Sequence, residues 1–252
     1  MKTIITLIIT LLTGNLLFAQ RAKFVTSGSI EYEKTVNMFA LGRVMLSRNA
    51  NSSSSSANSQ AFDEYQKKQP QFAILKSTLN FNNNKTLFAP ATSGDEIVSF
   101  LTNELRVKQF NVVYTDLAHS TRIIQKSILD NQFLVKDSVS KIKWRIAGGT
   151  QDILGYTCRE AHGLIQDSIY IVAFYTDKIW VNGGPESFSG LPGMILKLSL
   201  PHEHVTWTAT KVTEDAGTPI EPPKKGKLVT FSELTAILKK AGQDHILKFY
   251  ML

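Results

Sequence analysis

The sequence predicts a mostly β protein. The expected form is a single antiparallel, strongly curved sheet, open like a half-barrel, with one or two short helices, the C-terminal one packed on or beside the sheet. Three observations carry this. From Phe110 to Val212 short runs rich in β-branched and aromatic residues succeed one another at regular spacing, separated by polar or glycine-containing turns. Several of these runs alternate apolar and polar residues with a period of two. The clearest helical period with a start signal comes only near the C-terminus. The curvature is an analogy with carriers whose open sheet wraps a helix, because "TAILKKAG" could fill a concave side.

The chain opens "MKTIITLIITLLTGNLLFAQR". Lys2, an apolar core from Ile4 to Leu12 and the small residue Ala19 before Gln20 read as a secretory signal peptide over residues 1–19, cleaved after Ala19. A retained anchor would need about 20 apolar residues, and Gly14 and Asn15 interrupt this run. The expected location is therefore periplasmic or secreted and soluble, with no later transmembrane segment. The only cysteine is Cys158, so neither lipoprotein processing nor an intramolecular disulfide is expected, and the thiol should be buried. Residues 20–252 are read as one β-rich domain.

In "SGSIEYEKTVNM", Ile30, Tyr32, Val36 and Met38 alternate with polar residues, interrupted only by Lys34. "SRNANSSSSSANSQ", residues 47–60, cannot bury apolar surface and reads as a mobile insertion. "AFDEYQKKQ" suggests a short helix, and "FAILKSTLNF" a strand ending in the turn "NNNK". The β candidates that follow are "FNVVYTD", "STRIIQKSI", "QFLVKDSV", "KIKWRI", "YTCREAHGLI", "SIYIVAFYT", "MILKLSL" and "HVTWTATKV". "KIKWRI" should turn Ile142, Trp144 and Ile146 inward, and "VTWTATK" should do so with Val205, Trp207 and Ala209. "SIYIVAFY", apolar at both parities, reads as a central strand buried on both faces. Residues 214–227 form a proline- and lysine-rich linker. In "TFSELTAILKKAG", Thr230 and Glu233 suit a capping box, Leu234, Ile237, Leu238 and Ala241 share a face, and Gly242 can end the helix. The tail "HILKFYML" reads equally as strand or docked segment.

The formal charge is +7, but the lysines are scattered. Without a concentrated basic footprint or a recognisable module, nucleic-acid binding is excluded. Attraction to anionic surfaces and a simply solvated surface both stay open.

The densest cluster of special residues is "GGPESFSGLPGMILKLSL", Gly183 to Leu200. Pro192 and Gly193 suit the centre of a type II turn, and Gly190 a close backbone approach. Phe188 and Leu191 should tuck into the core. The segment reads as a structural corner steering one strand into the next, without nucleophile, acid, base or ligand; a recognition loop is the alternative. No P-loop lysine or helix start follows.

"GLPGMIL" resembles the signature of the GLPGLI family, secreted proteins of Gram-negative bacteria. "KWRI", "ILGYTCREA", "YIVAFYTDKIW" and "GPESFSGLPGMILKL" follow in the family's order. The matching positions are Gly155, Tyr156, Cys158 and Ala161 on a strand, and Gly184, Pro185, Phe188, Gly190, Leu191, Pro192 and Gly193 in the turn. The detailed resemblance covers Ile142 to Leu198, with a looser one from Ser29. Met194 stands for a leucine, Phe174 for a tryptophan, and "KIWVNG" lacks a usual proline. The resemblance implies compartment and fold, and no particular chemistry.

His202 and His204 in "PHEH" would project to one face of a strand and could hold copper or zinc, the only cofactors the sequence suggests. Cys158, Glu160 and His162 share a parity. Yet i and i+4 on a strand lie about 13 Å apart, too far for a thiol–imidazole dyad. No catalytic motif of nucleophile-elbow or zinc-helix type occurs. The expectation is a non-enzymatic binding or carrier module, taking an apolar or lipid-like ligand or an envelope protein in the trough of the sheet. Metal binding through His202 and His204 is the alternative, and a hydrolase of unrecognised type the second alternative.

Overall fold

The computed structural model describes residues 24–48, 51, 55–91, 111–128, 131–165 and 169–240. Residues 1–19, read from the sequence as a signal peptide, parts of the serine-rich stretch, Ala241, Gly242 and the C-terminal tail lie outside these residues. The elements in order are β1 (Ser27–Asn37), α1 (Met38–Arg48), α2 (Ser55–Lys68), β2 (Phe72–Asn82), β3 (Lys85–Pro90), β4 (Val112–Asp116), β5 (Thr121–Ile128) and β6 (Asn131–Ser138). They continue with β7 (Lys143–Ile153), β8 (Tyr156–Ile165), β9 (Ile169–Thr176), β10 (Met194–Leu200), β11 (Val205–Glu214), β12 (Lys227–Thr230) and α3 (Phe231–Lys240).

The strands form one 12-stranded sheet in the order β12-β6-β5-β4-β3-β2-β1-β11-β10-β9-β8-β7. It is mixed, not purely antiparallel: β12 runs parallel to β6. A tight hairpin would force antiparallel pairing, but β12 arrives after the irregular linker and enters the edge from either direction equally well.

Chain length dictates that this sheet rolls up. β6 and β7 lie ten strand steps apart, about 48 Å in a flat sheet. Only Val139 to Ile142 connects them, a reach of about 18 Å. The two edges must therefore curl toward one another, giving an open roll that is not closed into a barrel. Its inner face carries Ile30, Tyr32, Val36, Leu79, Phe81, Phe88, Ile171 and Ala173, all buried in one core.

Several local expectations are corrected. Met38 begins α1 instead of ending β1, because Asn37 caps the helix through its side chain to the Ala40 amide (3.0 Å). Ser55 to Gln60 are helical, forming the first turns of α2. Ile146 is exposed: β7 is an edge strand, and its register slips between Ile146 and Thr150. β9 is third from that edge, not central, and its outer face is half-exposed. β11 alternates as its sequence predicts, with Val205, Trp207 and Ala209 inward.

In α3 the capping box forms, with the Glu233 amide donating to Thr230 Oγ1 (3.2 Å) and the Thr230 amide to Glu233 Oε2 (2.7 Å). The helix packs on the inward face of β5 and β6 at one end of the sheet, apart from the main core. Leu234 and Leu238 join Ile128, Phe133, Val135 and Val229 in a second cluster at the β5/β6/β12 edge.

Candidate functional site

The interior of the roll is filled by the segment between β9 and β10. Phe188 and Leu191 are buried as expected, at 3% and 1% exposure. Ser187 Oγ accepts a hydrogen bond from Arg122 Nη1 on β5 (2.7 Å), and the Ser189 carbonyl accepts one from Trp144 Nε1 on β7 (3.0 Å). Residues two apart thus touch strands nine steps apart in the sheet. The loop is a plug around which the sheet wraps.

Its backbone geometry differs from the expected turn. The Gly193 amide donates to the Leu191 carbonyl (2.8 Å), which closes a three-residue turn over Pro192 instead of a type II turn. Gly193 has φ 144°, and a Cβ there would meet the Thr176 carbonyl oxygen at 2.0 Å, where β9 leaves and β10 enters. Gly190 is needed for its φ of 95° and not for close approach, since a Cβ on it would meet nothing nearer than 3.6 Å. Gly184 is the close approach, where a Cβ would lie 2.9 Å from Ile195 Cβ. Gly155, with φ 79°, follows Leu154 at φ 56° in the two-residue hairpin joining β7 to β8, as a type I′ turn requires. The Pro185 carbonyl accepts the Phe188 amide, and Tyr156 and Cys158 lie on β8 with Ala161.

The plug also carries an acid, contrary to the sequence reading of this segment. Glu186 sits at φ 53° and is buried, with a carboxylate oxygen 3.5 Å from Asn111 Nδ2. Lys34 from β1 and Lys126 from β5, both buried, act on it electrostatically. Burial raises the Glu186 carboxyl above its ordinary range, and the two lysines pull it back. Burial lowers Lys34 against the opposing pull of Glu186, and its ammonium lies 5.1 Å from the Trp207 ring centroid. Lys126 is pushed down to about 8, first by burial; Glu186 opposes this and Arg122 adds to it. Arg122, itself lowered by burial, also reaches Asp137 (3.5 Å) at the edge of the cluster.

Sequence reasoning misses these groups because it takes each one singly. Lys34 occupies the inward parity of β1, and Arg122 and Lys126 occupy that of β5 beside Ile124 and Ile128. A charge at an inward position, repeated on two strands, is the signal that could find them.

The roll opens at a mouth of about 490 Å³. Four connections line it: Asn84 between β2 and β3, Leu117 and Ser120 between β4 and β5, Val139 to Ile142, and Trp180, Asn182, Ser189 and Gly190 of the plug. Among the described residues, Lys141 is the one ionisable side chain in this lining.

The other sequence candidates are not brought together as expected. Pro201 to Glu203 form a single 3-10 turn and His204 has left-handed backbone, so His202 and His204 are not on a strand and share no strand face. Among the described residues no group of three or more His, Cys, Asp or Glu is gathered to hold a metal ion. Cys158 turns into the core, where burial pushes its thiol up to about 12. Glu160 and His162 remain half-exposed and hydrogen-bonded (2.7 Å), and Tyr170 holds the other imidazole nitrogen (3.1 Å). This is a relay on the outer face, tying β8 to β9.

Residues 161–197, which hold β9 and the whole plug, match the profile of a family described as a protein of unknown function, Porph_ging. No curated protein matches the chain. Among solved structures, the chain is similar to PNGF-II in the P21 space group, with TM-score 0.53 and 15% identity over 86% of this chain and 34% of that one. The same protein in the C2 space group gives TM-score 0.52 and 15% identity over 85% and 33%. The chain thus spans about a third of the length of these solved chains, and at this identity the likeness concerns the fold alone.

Proposed function

We propose that this chain is an exported, non-enzymatic binding module of the GLPGLI family, and that it takes its ligand at the mouth of the roll. The reading of residues 1–19 as a leader supports export, and the match over 161–197 falls on the segment that carries the family resemblance. The observation that carries the binding site is the mouth itself, a concave space in the size range of small-molecule sites, built by four loops on a rigid scaffold.

Two further observations favour binding at the mouth over the expected trough. The trough is occupied: Tyr32, Phe81, Phe88 and Phe188 fill it, which leaves an apolar ligand no room among them. The titratable groups that do converge, Lys34, Lys126 and Arg122 of the sheet and Glu186 of the plug, are at most 7% exposed, out of a substrate's reach. Their work is to seat the plug in one position, since a buried acid tolerates only the location where its counter-charges lie.

Hydrogen exchange tests this. The mature chain, incubated with the dialysable fraction of an envelope extract, should gain protection in residues 83–85, 117–120, 139–142 and 180–190. Protection confined to other segments, or none, overturns the reading.

A further inference from the structure

The walls of the mouth are of two chemical kinds, and their combination selects a class of ligand. We propose that the mouth binds a neutral saccharide, with the Trp180 ring as its platform; this inference rests on the mouth being the ligand site.

Trp180 is 61% exposed, yet it is held firmly. Phe24 stacks on the ring with centroids 4.4 Å apart and planes 26° from parallel. The Trp180 amide donates to the Val25 carbonyl (2.8 Å), and the Val25 amide to that of Lys178 (3.0 Å). Phe24 stacks against the indole, which otherwise stays largely exposed. A pyranose ring offers a complementary surface: one face of C–H groups that packs on an aromatic plane, and a rim of hydroxyls that both donate and accept.

The rest of the lining suits that rim. Asn84 and Asn182 each carry a donor and an acceptor on one planar amide, and Ser120 and Ser140 can take either role. The loops are already braced, since the Leu117 amide donates to the Asn84 carbonyl (2.7 Å) and Trp144 holds Ser189. Little ordering cost then falls on binding. A phosphate or carboxylate ligand would want several cations, and Lys141 is the single one among the described residues of the lining. A lipid would want continuous apolar walls, and the amides and hydroxyls interrupt them.

The test is calorimetric titration of the mature chain with neutral malto-, cello-, xylo-, manno- and chito-oligosaccharides. At least one should bind, about tenfold or more weaker in Trp180→Ala and close to wild type in Trp180→Phe. The exposed position of Trp180 lets both variants fold, which an unchanged thermal midpoint verifies. Equal binding by Trp180→Ala overturns the proposal by moving the site elsewhere. No binding by any oligosaccharide, while the envelope extract still protects residues 180–190 from exchange, overturns the saccharide and leaves the mouth standing. Failure of both removes both.

Discussion

Replacing Lys126 by methionine removes a buried charge while keeping the side chain's length, and the consequence should depend on pH. Lys126 is 2% exposed and its pKa falls from the ordinary 10.5 to about 8. Below pH 8 the folded chain carries a charged lysine it would rather hold neutral, at a cost of about 3 kcal/mol relative to the unfolded chain. Between pH 8 and 10.5 the unfolded state binds the extra proton, so stability rises with pH in this window and is lost again as pH falls through 8. From pH 7 to 9.5 the contribution grows by about 2 kcal/mol. Cys158, whose folded pKa is raised to about 12, works in the opposite sense above pH 9, and Lys34 works in the same sense as Lys126. Subtracting Lys126→Met from wild type cancels those backgrounds. Urea unfolding at pH 7 and 9.5 reads the difference: the wild-type midpoint should gain about 1 M on the variant. Glu186, Arg122 and Lys34 all remain in the variant, so the slope reports Lys126 together with its coupling to Glu186 and Arg122. A difference that stays flat, or shrinks with rising pH, would mean that Glu186 holds the lysine fully charged, and the reasoning from burial fails.

Gly193→Ala should lower stability by about 2–5 kcal/mol, because the new methyl meets the Thr176 carbonyl and the backbone is confined to a glycine-only region. Gly190→Ala, with space around it, should cost only the strain of its positive φ, about 1 kcal/mol; equal thermal midpoints for the two variants would refute the distinction. Thr230→Ala should weaken the capping box by about 1 kcal/mol, read as faster amide exchange in α3 with β1 and β11 unaffected. Cys158 should react with a thiol reagent at pH 8 about a thousand-fold more slowly in the folded chain than after unfolding; comparable rates would place the thiol at the surface.

What is legible in the sequence is whatever is decided between neighbours. β8, β10 and β11 emerge almost residue for residue, because their ends are set by local turns and their faces by alternation. The capping box is readable for the same reason: both partners lie within four residues. The direction of β12 is not, since a linker transmits no pairing geometry. The parity argument for His202 and His204 fails because Pro201 starts a turn, which ends the strand on which parity depends. The plug shows the deeper limit. In the sequence Glu186 is one polar residue in a loop, and Lys34 is a lapse in an alternating strand. Each becomes intelligible only once the sheet has rolled far enough to set β1, β5 and the plug against one another. The roll is in turn imposed by the shortness of Val139 to Ile142, between strands that nothing local marks as distant. A lapse in alternation is therefore better read as a charge awaiting a partner from elsewhere in the chain. By that rule the inward positions of Lys126 on one strand and Lys34 on another call for a buried acid between them, and Glu186 is that acid, while Arg122 finds Asp137.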